Sequence, residues 1–372
     1  MPEEVRVSEA TGFLRRRAFL RIPWSIYKGD TNWVPPLLMQ VRQSLNTRKN
    51  PFYHRAKIKL FLAEKGGRPA GRAAAIVNDA HNEFHGEKTG FFGFFECIDD
   101  QPVADALLSA AKGWVAGQGM SNLRGPVSPS TNHECALLVD GFDRPPMIMM
   151  PYNPPYYAQL LERFGFRKAK DIYAYELTTE AFAPRLYKLA DAFAKRSKLE
   201  VRPIDVRNFA SEIKVIRDIY NSAWEKNWGF VPVSDEEFDH LAYDMKQILE
   251  PSLALIGFAD GRPAGFSISL PNINAALRSA NGRLFPFGFI RLLRGMKKIR
   301  SARNLLMGVV PEFRRLGLDV LMYARTVEAV KQLGYSWGEL SWILEDNVEM
   351  RQMLEKVGAR AYKTCRFYDL PI

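Results

Sequence analysis

The sequence predicts an α/β fold built twice over, and three observations carry that expectation. Short landmarks recur at a nearly constant distance. Asn32-Trp33 followed by Pro35 returns as Asn227-Trp228 followed by Pro232, an offset of 195 for the Asn-Trp pair. Gly67-Arg68-Pro69-Ala70-Gly71 returns intact as Gly261-Arg262-Pro263-Ala264-Gly265, an offset of 194. Leu161-Glu162-Arg163-Phe164-Gly165 is matched by Leu354-Glu355-Lys356-Val357-Gly358, an offset of 193. Self-similarity of this kind marks a duplicated unit. The second observation is local: each Gly-Arg-Pro-Ala-Gly sits between two apolar runs, as a hairpin turn would. The third is that apolar runs of strand length alternate with stretches of helical periodicity. A chain of 372 residues is long for one domain and comfortable for two, so the reading is a domain over residues 1–178 and a second over 179–372.

Taken in order, the first copy has a hairpin over 58–63 and 72–77, a central strand over 91–97 and a helix over 102–115. Ile98-Asp99-Asp100-Gln101 joins strand to helix, and its two carboxylates would repel an anion. A polar, proline-punctuated loop follows over 124–157. Loops of that length are usually functional or disordered, and the apolar stretches 136–139 and 147–150 argue against disorder. It holds an adjacent histidine–carboxylate pair, His133-Glu134, which could also serve merely to brace the loop.

The second copy repeats the hairpin over 253–259 and 266–270, then inserts residues 272–304. There Phe289, Leu292, Leu293, Met296 and Ile299 share one helical face, and Arg291, Arg294 and Lys298 another. Such a helix either packs its apolar face on its own domain or lies on an anionic membrane surface through residues 285–303. The apolar strand 305–310 then runs into Pro311-Glu312-Phe313-Arg314-Arg315-Leu316-Gly317-Leu318, a basic turn that opens a helix. A strand passing through a glycine-bearing basic turn into a helix suits a phosphate, because the first helical amides lack partners and the macrodipole is positive there. A strand over 336–343 and a helix over 347–357 complete the copy.

The composition narrows the partners. The net charge of +11 favours an anionic one: a coenzyme, a nucleic acid or a membrane. Hydrophobic residues make up 47%, enough to bury real cores. No apolar run approaches the ~18 residues that a spanning helix needs. The acidic start lacks an apolar leader segment. Three scattered cysteines, Cys97, Cys135 and Cys365, fit a reducing compartment, so a cytoplasmic location is expected, with peripheral attachment at the inner membrane face. No spacing of histidine or cysteine suggests a metal.

Arg314-Arg315-Leu316-Gly317-Leu318-Asp319 after a strand resembles the Arg/Gln-x-x-Gly-x-Gly/Ala pyrophosphate loop of the GNAT acyl-CoA N-acyltransferase superfamily. Glu345-Asp346-Asn347 with 353–359 resembles that family's second motif. The resemblance implies two tandem GNAT-like domains, each a mixed, largely antiparallel sheet flanked by helices, with the first degenerate for coenzyme A. It further implies that acyl-CoA is the co-substrate and that no metal takes part. Its diphosphate would lie on the amides of Arg315, Leu316, Gly317, Leu318 and Asp319, with Arg314 assisting and Asn347 on the pantetheine or a water. Strand amides at Val309 and Val310 would hold the oxyanion. Two departures stand out: Asp319 replaces the small residue of the loop, and Leu354 stands where many members carry a tyrosine acid. Glu134 and His133 are the candidate bases, with Tyr152 and Tyr368 as further catalytic candidates. The duplicated fold and basic apolar flap are similar to the GNAT-like bacterial ceramide synthases, which N-acylate a long-chain sphingoid base. The alternatives are an aminoacyl-tRNA-dependent transferase of the Fem-like tandem type and a non-catalytic acyl-CoA sensor. The coenzyme loop argues against a nucleic-acid partner. The sequence leaves the oligomeric state open.

Overall fold

A computed structural model describes residues 3–224 and 227–372. The helices are α1 (Gly12–Arg21), α2 (Pro23–Ile26), α3 (Leu38–Ser44), α4 (Asp79–His85), α5 (Gln101–Gly117), α6 (Tyr157–Phe164) and α7 (Pro184–Arg196). They continue as α8 (Phe209–Trp224), α9 (Asp235–Lys246), α10 (Asn274–Ala280), α11 (Gly288–Met296), α12 (Leu318–Gln332) and α13 (Val348–Lys356). The strands are β1 (Val5–Glu9), β2 (Ala56–Lys65), β3 (Arg68–Asn78), β4 (Thr89–Cys97), β5 (Asn122–Gly125), β6 (Val127–Ser128), β7 (Glu134–Cys135) and β8 (Leu137–Asp140). After them come β9 (Arg167–Thr178), β10 (Leu199–Pro203), β11 (Ala254–Ala259), β12 (Arg262–Pro271), β13 (Ser301–Val309), β14 (Trp337–Leu344) and β15 (Arg360–Pro371).

The chain divides into two compact units. Unit 1 holds Met1–Asp171, Leu277–Leu293 and Lys363–Ile372; unit 2 holds Ile172–Ala276 and Arg294–Tyr362. Duplication speaks to where two copies were joined, near residue 178, whereas packing trades segments: unit 1 takes most of the last strand of the chain, and unit 2 most of β9.

Within unit 1 the sheet order is β1-β2-β3-β4-β5-β15, with β8 also on β15. Neighbours run antiparallel except β4 and β5. Within unit 2 the order is β10-β11-β12-β13-β14-β9, again antiparallel except for β13 and β14. Each sheet is thus mixed and largely antiparallel, with one parallel pair at its centre. The helix between the two parallel strands, α5 or α12, is the crossover that a parallel connection requires.

The cores follow from this layering. Val103, Leu107, Leu108, Ala111 and Val115 recur at helical spacing along α5 and belong to the core of unit 1, with Ala73, Ala75 and Phe92 of its sheet. In unit 2, Leu318, Leu321, Met322, Ala324 and Val327 of α12 share a core with Ala264, Leu340 and Leu354. The strands came out close to expectation. β13 begins earlier than the apolar run suggested because Ser301 and Arg303, polar by type, are buried with Ala302 between two neighbouring strands.

Candidate active site

In unit 2, β13 and β14 pair only over Ser301–Asn304 and Trp337–Leu340, yet β13 continues to Val309 and β14 to Leu344. The two strands therefore fork. A register shift in β12 at Ile268/Ser269 marks the same level of the sheet, and a bulge there re-aims a strand. The vertex is fixed by a buried polar cluster. Arg303 and Glu339, both fully buried, lie 3.3 Å apart. Ser341 Oγ donates to Glu339 (2.7 Å) and accepts from Arg303 Nε (2.8 Å), and the Tyr362 hydroxyl donates to the other carboxylate oxygen. Removing one member would strand a buried charge, so the cluster holds the fork rigidly.

Alternation along β13 decides which amides face the opening. The Val310 amide donates to the Ala264 carbonyl at 2.9 Å, and Gly265 lies opposite Val309. In an antiparallel pair, hydrogen-bonded residues alternate with those that face away. Leu306, Gly308 and Val310 thus point to β12, whereas Met307 and Val309 point into the fork beyond the end of the β13–β14 ladder. Val310, expected as a ligand-facing donor, has its amide committed inside the sheet; Met307 takes that place. The signal was available in principle, since strand alternation is fixed once one register is known.

Beyond Val310 a short turn (Pro311–Phe313) leads to Arg315 at φ +68 and Gly317 at φ +88, and α12 starts at Leu318. The residue capping α12 is Gly317, which has no side chain to offer. The first helical bond is Leu321 amide to Gly317 carbonyl at 3.1 Å. The amides of Leu318, Asp319 and Val320 are the orphans that a helix start leaves over. A Cβ on Gly317 would sit 2.3 Å from the Phe193 ring of α7, so the glycine is needed both for its backbone and for this close approach.

The basic residues of the turn divide their work. Arg314 is engaged, its Nε on the Val309 carbonyl (3.3 Å) and a terminal nitrogen on the Ala223 carbonyl near the end of α8 (2.9 Å). It ties strand to helix instead of standing as mobile charge. Arg315 is exposed, Leu316 half-buried and Leu318 buried. Asp319 is half-buried in the first turn of α12, and its charge helps raise the pKa of Tyr323, after burial. Asn347 Oδ1 accepts from the Met350 amide at 3.2 Å and caps α13, which leaves its amide nitrogen as the atom suited to a ligand. Leu354 is fully buried in the core, whereas the Tyr323 hydroxyl lies 3.7 Å from Met350 Sδ.

Unit 1 has the same fork, filled. Its β4 and β5 pair over Thr89–Phe91 and Asn122–Arg124 before parting. The Ile98 amide on the Ala70 carbonyl (3.0 Å) repeats the Val310–Ala264 bond, so Cys97 stands where Val309 does. Here the Cys97 amide donates to the Tyr157 hydroxyl, and the Cys97 carbonyl accepts from the Tyr156 hydroxyl, each at 2.8 Å. The Phe94 amide donates to Ser128 Oγ at 3.0 Å, and β6 lies so close that a Cβ on Gly93 would meet the Val127 carbonyl at 1.4 Å. The Asp100 carboxylate caps α5 through the Val103 amide (3.1 Å) and pairs with Lys65.

The remaining candidates also belong to unit 1. Glu134 and His133 lie on the β6–β7 hairpin, where Ser130 Oγ and His133 Nδ1 are 2.8 Å apart. Glu134 is exposed on this hairpin, and the next residue, Cys135, is buried. Desolvation by the protein around its carboxyl and the nearby Glu96 carboxylate raise its pKa to about 7, against the opposing pull of Arg72. Glu96 is itself raised by burial; it accepts from the Tyr157 hydroxyl (2.8 Å) and faces Arg72 at 3.5 Å. Arg72 also donates to the Phe19 carbonyl at 2.9 Å. Sequence reading passed over Arg72 and Glu96, although each is a lone charge within an otherwise apolar strand segment. Tyr152 sits apart with its hydroxyl on Asp30 (2.8 Å). Tyr368 is buried in the core of unit 1, its hydroxyl on Glu162 at 2.9 Å. Among the described residues no cluster of three or more His, Cys, Asp or Glu could hold a metal ion, and no helix is long and apolar enough to cross a membrane.

No protein-family model matches the chain. Among characterised sequences it is similar to Escherichia coli protein YghO, 38% identical over 96% of this chain and 93% of that one. It is also similar to the bacterial ceramide synthase of Caulobacter vibrioides, 35% identical over 95% and 94%. Among solved structures it superposes on a tandem GNAT protein from the clavulanic acid biosynthesis pathway with a TM-score of 0.59 at 13% identity, over 99% of this chain and 98% of that one. It also matches the GCN5-related glucosamine N-acetyltransferase region of a fungal multi-domain β-N-acetylglucosaminidase, TM-score 0.61 at 15% identity, over all of this chain and 38% of that one. At such identities the structural matches speak to fold alone.

Proposed function

The chain belongs to the tandem GNAT-fold family that includes YghO and the C. vibrioides bacterial ceramide synthase, and from that premise we propose that it transfers an acyl group from acyl-CoA to the primary amine of a long-chain, sphingoid-like base. The observation that carries the reading is the open fork of unit 2. It pairs two outward amides, Met307 and Val309, with an uncapped helix start at Gly317.

These residues fit a coenzyme A thioester. The amides of Leu318, Asp319 and Val320 suit the diphosphate, with the exposed guanidinium of Arg315 on the same turn. Met307 and Val309 suit an extended amide-bearing arm, which would add to the edge of β13 as a strand does. The same donors, aimed at the thioester oxygen, would stabilise the charge that develops on it. Asp319 is the element that opposes the diphosphate, and its side chain must turn away from it.

The acceptor nitrogen arrives as an ammonium ion and must lose a proton before it attacks. Glu134, with a pKa raised to about 7, is half ionised at neutral pH and suits that task, with His133 beside it. A carbon–nitrogen bond forms as the carbon–sulfur bond breaks, and the thiolate leaves without a tyrosine donor at position 354. The peripheral cytoplasmic location expected from the sequence accords with a lipid-like acceptor.

The test is incubation with acetyl-CoA and palmitoyl-CoA against a panel of amines that includes sphinganine, followed by thiol release. Palmitoyl transfer to sphinganine is the expected result. Acyl-CoA binding with no thiol released for any amine would leave a coenzyme-binding protein and refute the transferase reading.

A further inference from the structure

The segment between β12 and β13 exposes a dense run of large apolar residues. Phe285 is 84% exposed, Phe287 65%, Phe289 50%, and Ile290 and Leu293 47% each. These residues fall within nine consecutive positions, whereas scattered single apolar residues are ordinary on a protein surface.

How α11 packs explains why they stay outside. A Cβ on Gly295 would meet Ala276 at 2.7 Å, and one on Gly288 would meet the Arg283 carbonyl of the preceding turn at 1.8 Å, with the Ala280 methyl 3.6 Å away. Gly288, Leu292 and Gly295 lie on one side of the helix, so α11 docks on α10 through its small residues. Leu292 is half-buried and Ile299 buried on that side. The stripe of Phe289, Leu293 and Met296, expected to face either the domain or a membrane, is left in solvent.

The charge on this segment has one sign. From Gly261 to Pro311 there is no aspartate or glutamate. Arg278, Arg283, Arg291, Arg294, Lys297 and Lys298 are all exposed. Among the described residues none of these six is in an ion pair. A second copy of the chain docked on this face about a two-fold axis would set cations against cations. An anionic bilayer meets both demands together, with hydrocarbon for the aromatic residues and headgroup charge for the bases.

We propose that residues 283–298 form a membrane-docking surface for anionic phospholipid, with Phe285, Phe287, Phe289 and Leu293 entering the acyl boundary while Arg291, Arg294, Lys297 and Lys298 lie along the headgroups. Helix α1 carries a similar pairing, with Phe13 and Leu14 exposed at 77% and 76% beside Arg15, Arg16 and Arg17. The proposal does not depend on the enzymatic reading and is tested without it.

Flotation of the full chain with phosphatidylcholine vesicles, with and without phosphatidylglycerol, decides the matter. Binding should require phosphatidylglycerol and weaken with salt. R291E/R294E/K298E should weaken partitioning by about a hundredfold or more, since each cation near the surface is worth a factor of about five. F285S/F287S/F289S should abolish flotation and leave the thermal midpoint unchanged, which separates lost docking from lost fold. Equal flotation of parent and both variants would overturn the proposal. So would a parent dimer in sedimentation that F285S/F287S/F289S dissolves, because the face would then belong to a second copy.

Discussion

The forks of the two units differ in what satisfies their edges. In unit 2 the strands part and Met307 and Val309 turn their amides into the gap, beside a helix whose cap has no side chain. In unit 1 the corresponding amide meets Tyr157, the carbonyl next to it meets Tyr156, Ser128 covers the Phe94 amide, and Asp100 caps the helix. A backbone polar group away from water must find a partner somewhere. The contrast lies in what makes the hydrogen bonds: in unit 1, hydroxyls and a carboxylate of the chain itself satisfy groups of the kind that the unit 2 fork leaves open. Two carboxylates follow β4 where two arginines follow β13, and one of them, Asp100, caps the helix from the chain's own side chain.

Changes at the two forks should therefore fail in different ways, while the largest effect is expected outside both, at Glu134. E134Q should lower kcat/KM by about a hundredfold or more, the usual range for a lost general base. The parent rate should rise with pH through about 7, as the Glu134 carboxyl ionises, and that limb should vanish in the variant. Stability gives a second check with a definite sign. Folding raises the Glu134 pKa, so its favourable contribution is complete at low pH and is lost as pH climbs through about 7. E134Q should therefore melt higher than the parent at about pH 8 and level with it near pH 4.

Next in size is V309P, which deletes an amide facing the fork without touching the bonds to β12. It should lower kcat/KM by about a hundredfold while the circular dichroism spectrum is kept. An unchanged rate would break the comparison on the unit 2 side. The mirror change in unit 1 is Y157F. It strands the Cys97 amide and takes a hydrogen bond from Glu96, so it should cost about 1–3 kcal/mol in denaturant unfolding and leave acyl-CoA affinity alone. Smaller still is D100A, which should cost about 1 kcal/mol for the lost cap of α5. A coenzyme site gained at the start of α5 would break the comparison on the unit 1 side.

Much of this was written in local sequence. The repeat, the basic turn ahead of α12 and the insertion before β13 are patterns of neighbouring residues, and local chemistry made them legible. What stayed hidden depends on partners far along the chain. Arg72 and Glu96 read as two stray charges until β3 and β4 pair and Tyr157, 61 residues beyond Glu96, reaches it. Val309 and Val310 are alike in sequence, and only the register with β12 gives them opposite roles. Arg314 suits a diphosphate by type and position, and nothing local announces its bond to the carbonyl of Ala223. The packing of α11 through Gly288 and Gly295 reverses the usual inference that the apolar face of a helix is its buried one.

The central claim is that one fork is open and the other closed, and hydrogen–deuterium exchange with and without palmitoyl-CoA tests it most directly. The account predicts slowed exchange at the amides of Met307, Val309 and Leu318 to Val320, with residues 94–104 unchanged. Protection at the start of α5, or none at the start of α12, would contradict it.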